Sequence, residues 1–146
     1  MDAEAAHAPA PVAVTDIRVR ADRLVLTVQL AEGAPRETTS ELADALVSAV
    51  PTLPAHACVN DRGSTFGAVL AKTPLPHVLE HLIIDAQARA AAPATPTFVG
   101  TTTWLSREAG IARVEVSYID DLVALASVKQ ALATLNGIIR KHMPAF

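Results

Sequence analysis

Apolar and polar residues alternate with a period of two near the start of the chain. Ile17 and Val19 alternate with Asp16, Arg18 and Arg20, and Leu24, Leu26, Val28 and Leu30 share one face of a second run. Separated by the polar Ala21-Asp22-Arg23, the two runs predict a hairpin over residues 16–30. Gly33-Ala34-Pro35 interrupts the alternation, and the spacing then becomes helical. Thr38 followed by Glu41 reads as a capping box, with Leu42, Leu46, Ala49 and Val50 on one face and Pro51 and Pro54 as terminators. Residues 55–72 are less periodic, with a turn at 60–63 and Phe66 and Leu70 as anchors. Thr73 as cap and Pro74 in the first turn open a second helix running to about Ala90.

Phe98–Leu105 and Ile111–Ile119 are rich in β-branched and aromatic residues and predict two more strands joined near residues 106–110. Asp120 caps a third helix with Leu122, Leu125, Val128, Leu132 and Leu135 inside, closed near Gly137. The order ββα-αββα predicts a two-layer α+β domain, with three helices on one face of an antiparallel sheet of about four strands. Residues 1–15, Ala/Pro-rich and without period, are expected to be a disordered lead-in, and residues 16–146 a single domain.

Composition narrows the class. Hydrophobic residues make up 51% of the 146, but 29 of them are alanines, so the core must rest on Leu, Ile and Val. A domain of this size buries roughly two-thirds of its unfolded surface and needs no staple to fold. The net charge of −3 argues against a nucleic-acid partner. No run of 18 apolar residues and no basic, apolar leader is present, so neither a membrane span nor export is expected. The single cysteine, Cys58, excludes an intrachain disulfide and fits a reducing, cytoplasmic setting.

One cluster carries chemistry: His77-Val78-Leu79-Glu80-His81. On a helix, residues four apart share a face, so both imidazoles reach one ion while Glu80 stands beside them. This is the H-x-x-E-H order of inverted zinc peptidases, in which the carboxylate acts as general base and acid. Val78, Leu79, Leu82, Ile83 and Ile84 make the helix apolar nearly all round, which implies burial, and buried polar groups need partners or a metal. Asp85 lies one turn beyond His81 and is placed to orient a ligand histidine. The third ligand is open between Glu115, mid-strand on the face opposite Val114 and Val116, and Cys58 in His56-Ala57-Cys58; Glu115 ranks first. Arg62, Lys72 and Arg113 are candidates for orienting an anionic substrate, on charge alone.

These residues resemble a known family. His56-Ala-Cys58, Phe66 and Leu70, then Pro76-His77-Val-Leu-Glu80-His81-Leu-Ile-Ile-Asp85-Ala-Gln87, are similar to the N-terminal domain of cyanophycin synthetases. That domain carries an H-x-C element, a Gly-rich stretch with Phe, and a G-H-[IV]-x-E-H-[VI]-A-L-E-L-Q helix. Val99–Trp104 resembles its G-K-T-R segment, and Val114–Tyr118 and Asp120–Asn136 resemble its Y-N-V-V-x-E-Y strand and final helix. Pro76 replaces the glycine before the first histidine, Thr101-Thr102-Thr103 replaces Lys-Thr-Arg, and Ser117 stands where the family has an acid.

The resemblance implies binding of a poly-aspartate polymer with arginine side groups, and in some members a metallohydrolase that cuts it. Without the ATP-grasp and Mur-ligase-like domains, the chain is expected to be a stand-alone copy rather than a synthetase. Two functions follow as expectations. One is a zinc-dependent hydrolase of peptide or isopeptide bonds, with His77 and His81 as ligands and Glu80 as the catalytic acid and base. The other is a non-catalytic module that grips a peptide polymer or a partner protein. A homo-oligomer or a separately encoded partner is compatible with either.

Overall fold

The computed structural model describes residues 9–143. Strands β1 (Val12–Val19) and β2 (Arg23–Leu30) form the expected hairpin, followed by helix α1 (Ser40–Ala49) and two short 3-10 turns, Leu53–Ala55 and Phe66–Ala68. Helix α2 (Leu75–Ala91), strands β3 (Gly100–Ser106) and β4 (Ile111–Ser117), and helix α3 (Asp121–His142) complete the order ββα-αββα. The strands form one antiparallel sheet in the order β1-β2-β4-β3. The fold is therefore the two-layer α+β arrangement that the pattern predicts.

Register explains the single core. Leu24, Leu26 and Val28 pair with Val116, Val114 and Ala112, so one face of β2 and β4 is continuously apolar. All six are buried beneath the helices. The intervening residues face outward, where Val25 pairs with Glu115 and Thr27 with Arg113. A slip of one residue would exchange the two faces, so burial specifies the register.

Four expectations shift. The first strand begins at Val12, so residues 12–15 of the predicted disordered lead-in are ordered, while residues 1–8 lie outside the described residues. Asn136 accounts for part of that order: buried on α3, it accepts from Val12 N and donates to Val12 O, both at 2.9 Å. The cap of α1 is Thr39, whose hydroxyl accepts from Leu42 N; Thr38 is buried and instead joins Leu70 O and Thr73 N. Thr73 caps nothing, because its hydroxyl is engaged with His77. Helix α3 passes through Gly137 to His142. A glycine ends a helix where the chain needs a left-handed residue, and here the positive-φ glycines are Gly33 and Gly110.

Asp120 caps helix α3 as expected, accepting from Leu122 N and Val123 N. Of the expected apolar row Val128 and Leu135 are buried, Leu125 and Leu132 pack half-buried against the core, and Leu122 is exposed; Ala124, Ala131 and Ile139 complete the buried stripe. Small alanines on that stripe let α3 approach α2 closely. By length and composition α3 could cross a bilayer, yet this stripe packs inside the protein. Removing the tie to β1 should be costly. Asn136→Ala leaves two buried main-chain groups of Val12 unsatisfied, and urea denaturation should read a loss of about 2 kcal/mol.

Candidate functional site

Helix α2 sits centrally, and its Glu80, His81, Asp85 and Gln87 are all buried together with its apolar residues. Each polar side chain therefore needs a partner inside the protein. Gln87 donates to Ser117 O at 3.2 Å. Thr102 of β3 donates to Glu80 Oε1 at 2.7 Å. Asp85 accepts from Thr52 Oγ1 at 2.5 Å, His56 Nε2 at 3.1 Å and Arg89 Nε at 2.8 Å. Among the described residues no buried side-chain nitrogen or oxygen is left without a partner.

The first turns of α2 meet the loop that carries Cys58. Cys58, His77 and His81 each offer one donor atom, and these atoms lie within 4.8 Å of one another. Cys58 Sγ stands 3.6 Å from His77 Nε2. Two ligands on one tetrahedral zinc, at bond lengths of about 2.3 Å for sulfur and 2.1 Å for nitrogen, stand about 3.6 Å apart. The Cys58–His77 pair matches that separation, and the set of three fits zinc in number and softness.

Hydrogen bonds set the tautomers in the same sense. Asp85 can only accept, so His56 Nε2 carries a proton, and in the neutral imidazole His56 Nδ1 is the acceptor. His56 Nδ1 lies 3.2 Å from His81 Nδ1, so His81 donates there and keeps a bare lone pair on Nε2. His77 Nδ1 meets Thr73 Oγ1 at 2.8 Å; donating to it leaves Nε2 bare toward Cys58. Phe66 stacks on the His81 ring at 4.0 Å and meets His77 edge-on at 4.9 Å, holding both rings in place.

Burial dominates the electrostatics. It pushes His81 down to about 3, helped by the neighbouring His77 and His56, and it lowers His77. Both imidazoles are thereby kept neutral, the form that binds metal. Burial raises the Glu80 carboxyl to about 7 despite the hydrogen bond from Thr102. Burial also acts to raise Asp85, but hydrogen bonds from His56, Thr52 and Arg89 outweigh it and hold the carboxyl at about 2.

Beside the cluster lies a cleft of about 650 Å³ between α2, residues 57–59 and β3. Glu80 forms part of its wall, with Oε2 3.6 Å from His81 Nε2. Gly100 of β3 presses against this carboxylate: a β-carbon there would stand 2.7 Å from Glu80 Cγ and Oε2.

The structure does not bring every expected residue here. Glu115 lies on the outer face of the sheet, across from the helices, and forms a 2.7 Å ion pair with Arg23. The pleat that turns Val114 and Val116 inward turns Glu115 away, so of the two candidates for a third donor it is Cys58, ranked second, that lies beside His77 and His81. Arg62 and Lys72 are exposed, and Arg113 shares the outer face with Glu115; none of the three lines the cleft. Asp85 orients a histidine, but the one it touches is His56, which in turn reaches His81.

Three contributors to the site are not among the site residues that the sequence suggests: His56, Thr73 and Thr102. His56 had a readable signal, because residues two apart in an extended segment share a side and Cys58 was already a candidate. Thr102 had none, since its approach to Glu80 spans 22 residues.

Over residues 23–140 the sequence matches the family described as cyanophycin synthase-like N-terminal domain. The chain belongs to that family. The match takes in β2, the cluster of Cys58, His77 and His81, β3 and nearly all of α3, so the candidate site lies wholly within the family's domain. No curated protein matches the chain.

Two outcomes follow for the zinc-free protein. Gly100→Ala drives a methyl group into the Glu80 carboxylate and should cost about 2 kcal/mol; Glu80→Ala in the same chain should recover most of it in denaturation midpoints. Glu80 has a folded value of about 7, above its ordinary 4.5, so its protonated form favours folding and that contribution is lost as pH rises through 7. Glu80→Gln should remove this decline from a stability profile measured across that range.

Proposed function

We propose that this domain is a zinc-dependent hydrolase of peptide or isopeptide bonds. The observation that carries the reading is the convergence of Cys58, His77 and His81 at the mouth of a cleft, beside a buried carboxylate held on one oxygen only. Cys58, His77 and His81 would hold the ion, and zinc bound there supplies Lewis acidity toward water and a carbonyl oxygen.

The chain's own groups do the rest. Thr102 fixes Glu80 through Oε1 and leaves Oε2 facing the ligand histidine. From there Glu80 takes a proton from the attacking water and delivers it to the leaving nitrogen, so the amide C–N bond breaks as the new C–O bond forms. Thr73 orients His77, and the chain Asp85–His56 orients His81, so each presents Nε2.

Elemental analysis of the purified full chain should find one zinc per molecule, lost in Cys58→Ser and His77→Ala. Glu80→Gln should keep the zinc and lose at least about a hundredfold in turnover. Asp85→Asn should weaken zinc affinity by roughly 10- to 100-fold while leaving the three ligands in place. A chain that takes up no zinc overturns the proposal; one that binds zinc and peptide without cleaving favours the non-catalytic module.

A further inference from the structure

Strand β3 is at the end of the sheet, and its far side has no strand partner among the described residues. Ser117 N donates to Val99 O at 2.8 Å, which sets the parity of the ladder with β4. Thr101 and Thr103 therefore turn their main-chain groups toward β4, and Gly100, Thr102 and Trp104 turn theirs toward the free side. Val99, Gly100, Thr101 and Thr102 line the cleft in unbroken succession. Side chains of an extended chain alternate between faces, so such a run lines one cavity only through its backbone edge.

The edge passes directly over the chemistry, since Gly100 and Thr102 both touch Glu80. It is also unguarded. Open edges are commonly blocked by lysine, proline or a bulge, yet Gly100–Trp104 has none of these, and the register breaks only after Trp104. The cleft contains no lysine or arginine; its ionisable groups are Cys58, His77, Glu80 and His81, and Ile84, Phe98, Val99 and Trp104 supply apolar surface. An unpaired row of N–H and C=O groups is satisfied by another extended backbone, and an apolar wall without counter-charges suits uncharged side chains.

We propose that the cleft binds an extended peptide segment with uncharged side chains, added as a strand to the free edge of β3. The proposal rests on the cleft being the substrate site of the hydrolase above, and it names the substrate class: a linear main chain, held by its backbone and presented to Glu80. Uncharged side chains enter the apolar cleft and alternate ones point away from it.

Trp104 is the chain's single tryptophan and lines the cleft, so its fluorescence reports occupancy. Three probes are titrated into full-length Glu80→Gln protein, which holds substrate without cutting it. They are capped hexapeptides of mixed Ala, Val, Leu and Thr, capped hexa-aspartate, and hexa-aspartate with arginine on each side chain. The neutral mixture should shift Trp104 emission and the amide resonances of Gly100, Thr102 and Trp104, and bind at least about tenfold tighter than either aspartate probe. Methylating alternate backbone nitrogens should weaken it by about tenfold or more, through lost edge hydrogen bonds.

Equal or tighter binding of an aspartate probe, indifference to N-methylation, or no binding of any probe overturns the proposal. Each titration is run with and without added zinc, beside an assay of the unsubstituted chain for cleavage. A chain that holds the neutral peptide but takes up no zinc overturns the hydrolase and leaves the strand site standing. A zinc-loaded chain that cleaves but ignores N-methylation overturns the strand site alone.

Discussion

Burial of four polar side chains on one central helix is the constraint from which the rest of the structure follows. Helix α2 is enclosed by the sheet, by α3 and by the loop after α1, so Glu80, His81, Asp85 and Gln87 cannot turn to water. An unpaired buried polar group costs roughly 1–3 kcal/mol, more than a marginally stable domain of this size tolerates four times over. Three parts of the chain meet the four: β3 for Glu80, the loop after α1 for His81 and Asp85, and the end of β4 for Gln87. The hydrogen bonds that tie these elements to α2 also build the site.

That economy has a chemical consequence. The low-dielectric setting that makes unpaired groups costly also lowers the proton affinity of His77 and His81 and raises that of Glu80. Neutral imidazoles and a carboxyl near neutrality are what metal binding and proton transfer require. Asp85 escapes the upward push because three donors converge on it. Two carboxyls one turn and a half apart on the same helix thus end with opposite shifts, set by how many donors each finds.

Local signals were legible and long-range ones were not. The hairpin at 16–30, the helix over 75–91 and the cap at Asp120 depend on neighbours in sequence, and period and turn chemistry disclosed them. So did the i, i+4 pairing of His77 and His81 around Glu80. Errors arose where a choice between two similar residues depended on distant partners. Thr38 and Thr39 are equally good caps in isolation, but Leu70 and Thr73 claim Thr38 for the core. Most of the expected apolar row of α3 packs on the core, but Leu122 at its first turn is exposed while Ala124 and Ala131, small residues that period alone ranks low, are buried.

The sequence by itself determined the α+β order, which side chains of the inner strands share a face, the helix that bears the histidine pair and the family. It could do so because hydrophobic period and helical spacing are properties of short segments. Only the tertiary structure decided which further side chains meet that pair. Glu115 and Cys58 differ little as entries in a string, but the pleat of β4 sends one outward to Arg23 while the loop brings the other to His77. Convergence of groups 19 to 29 residues apart is a property of how the elements pack, and no periodicity along the chain encodes it.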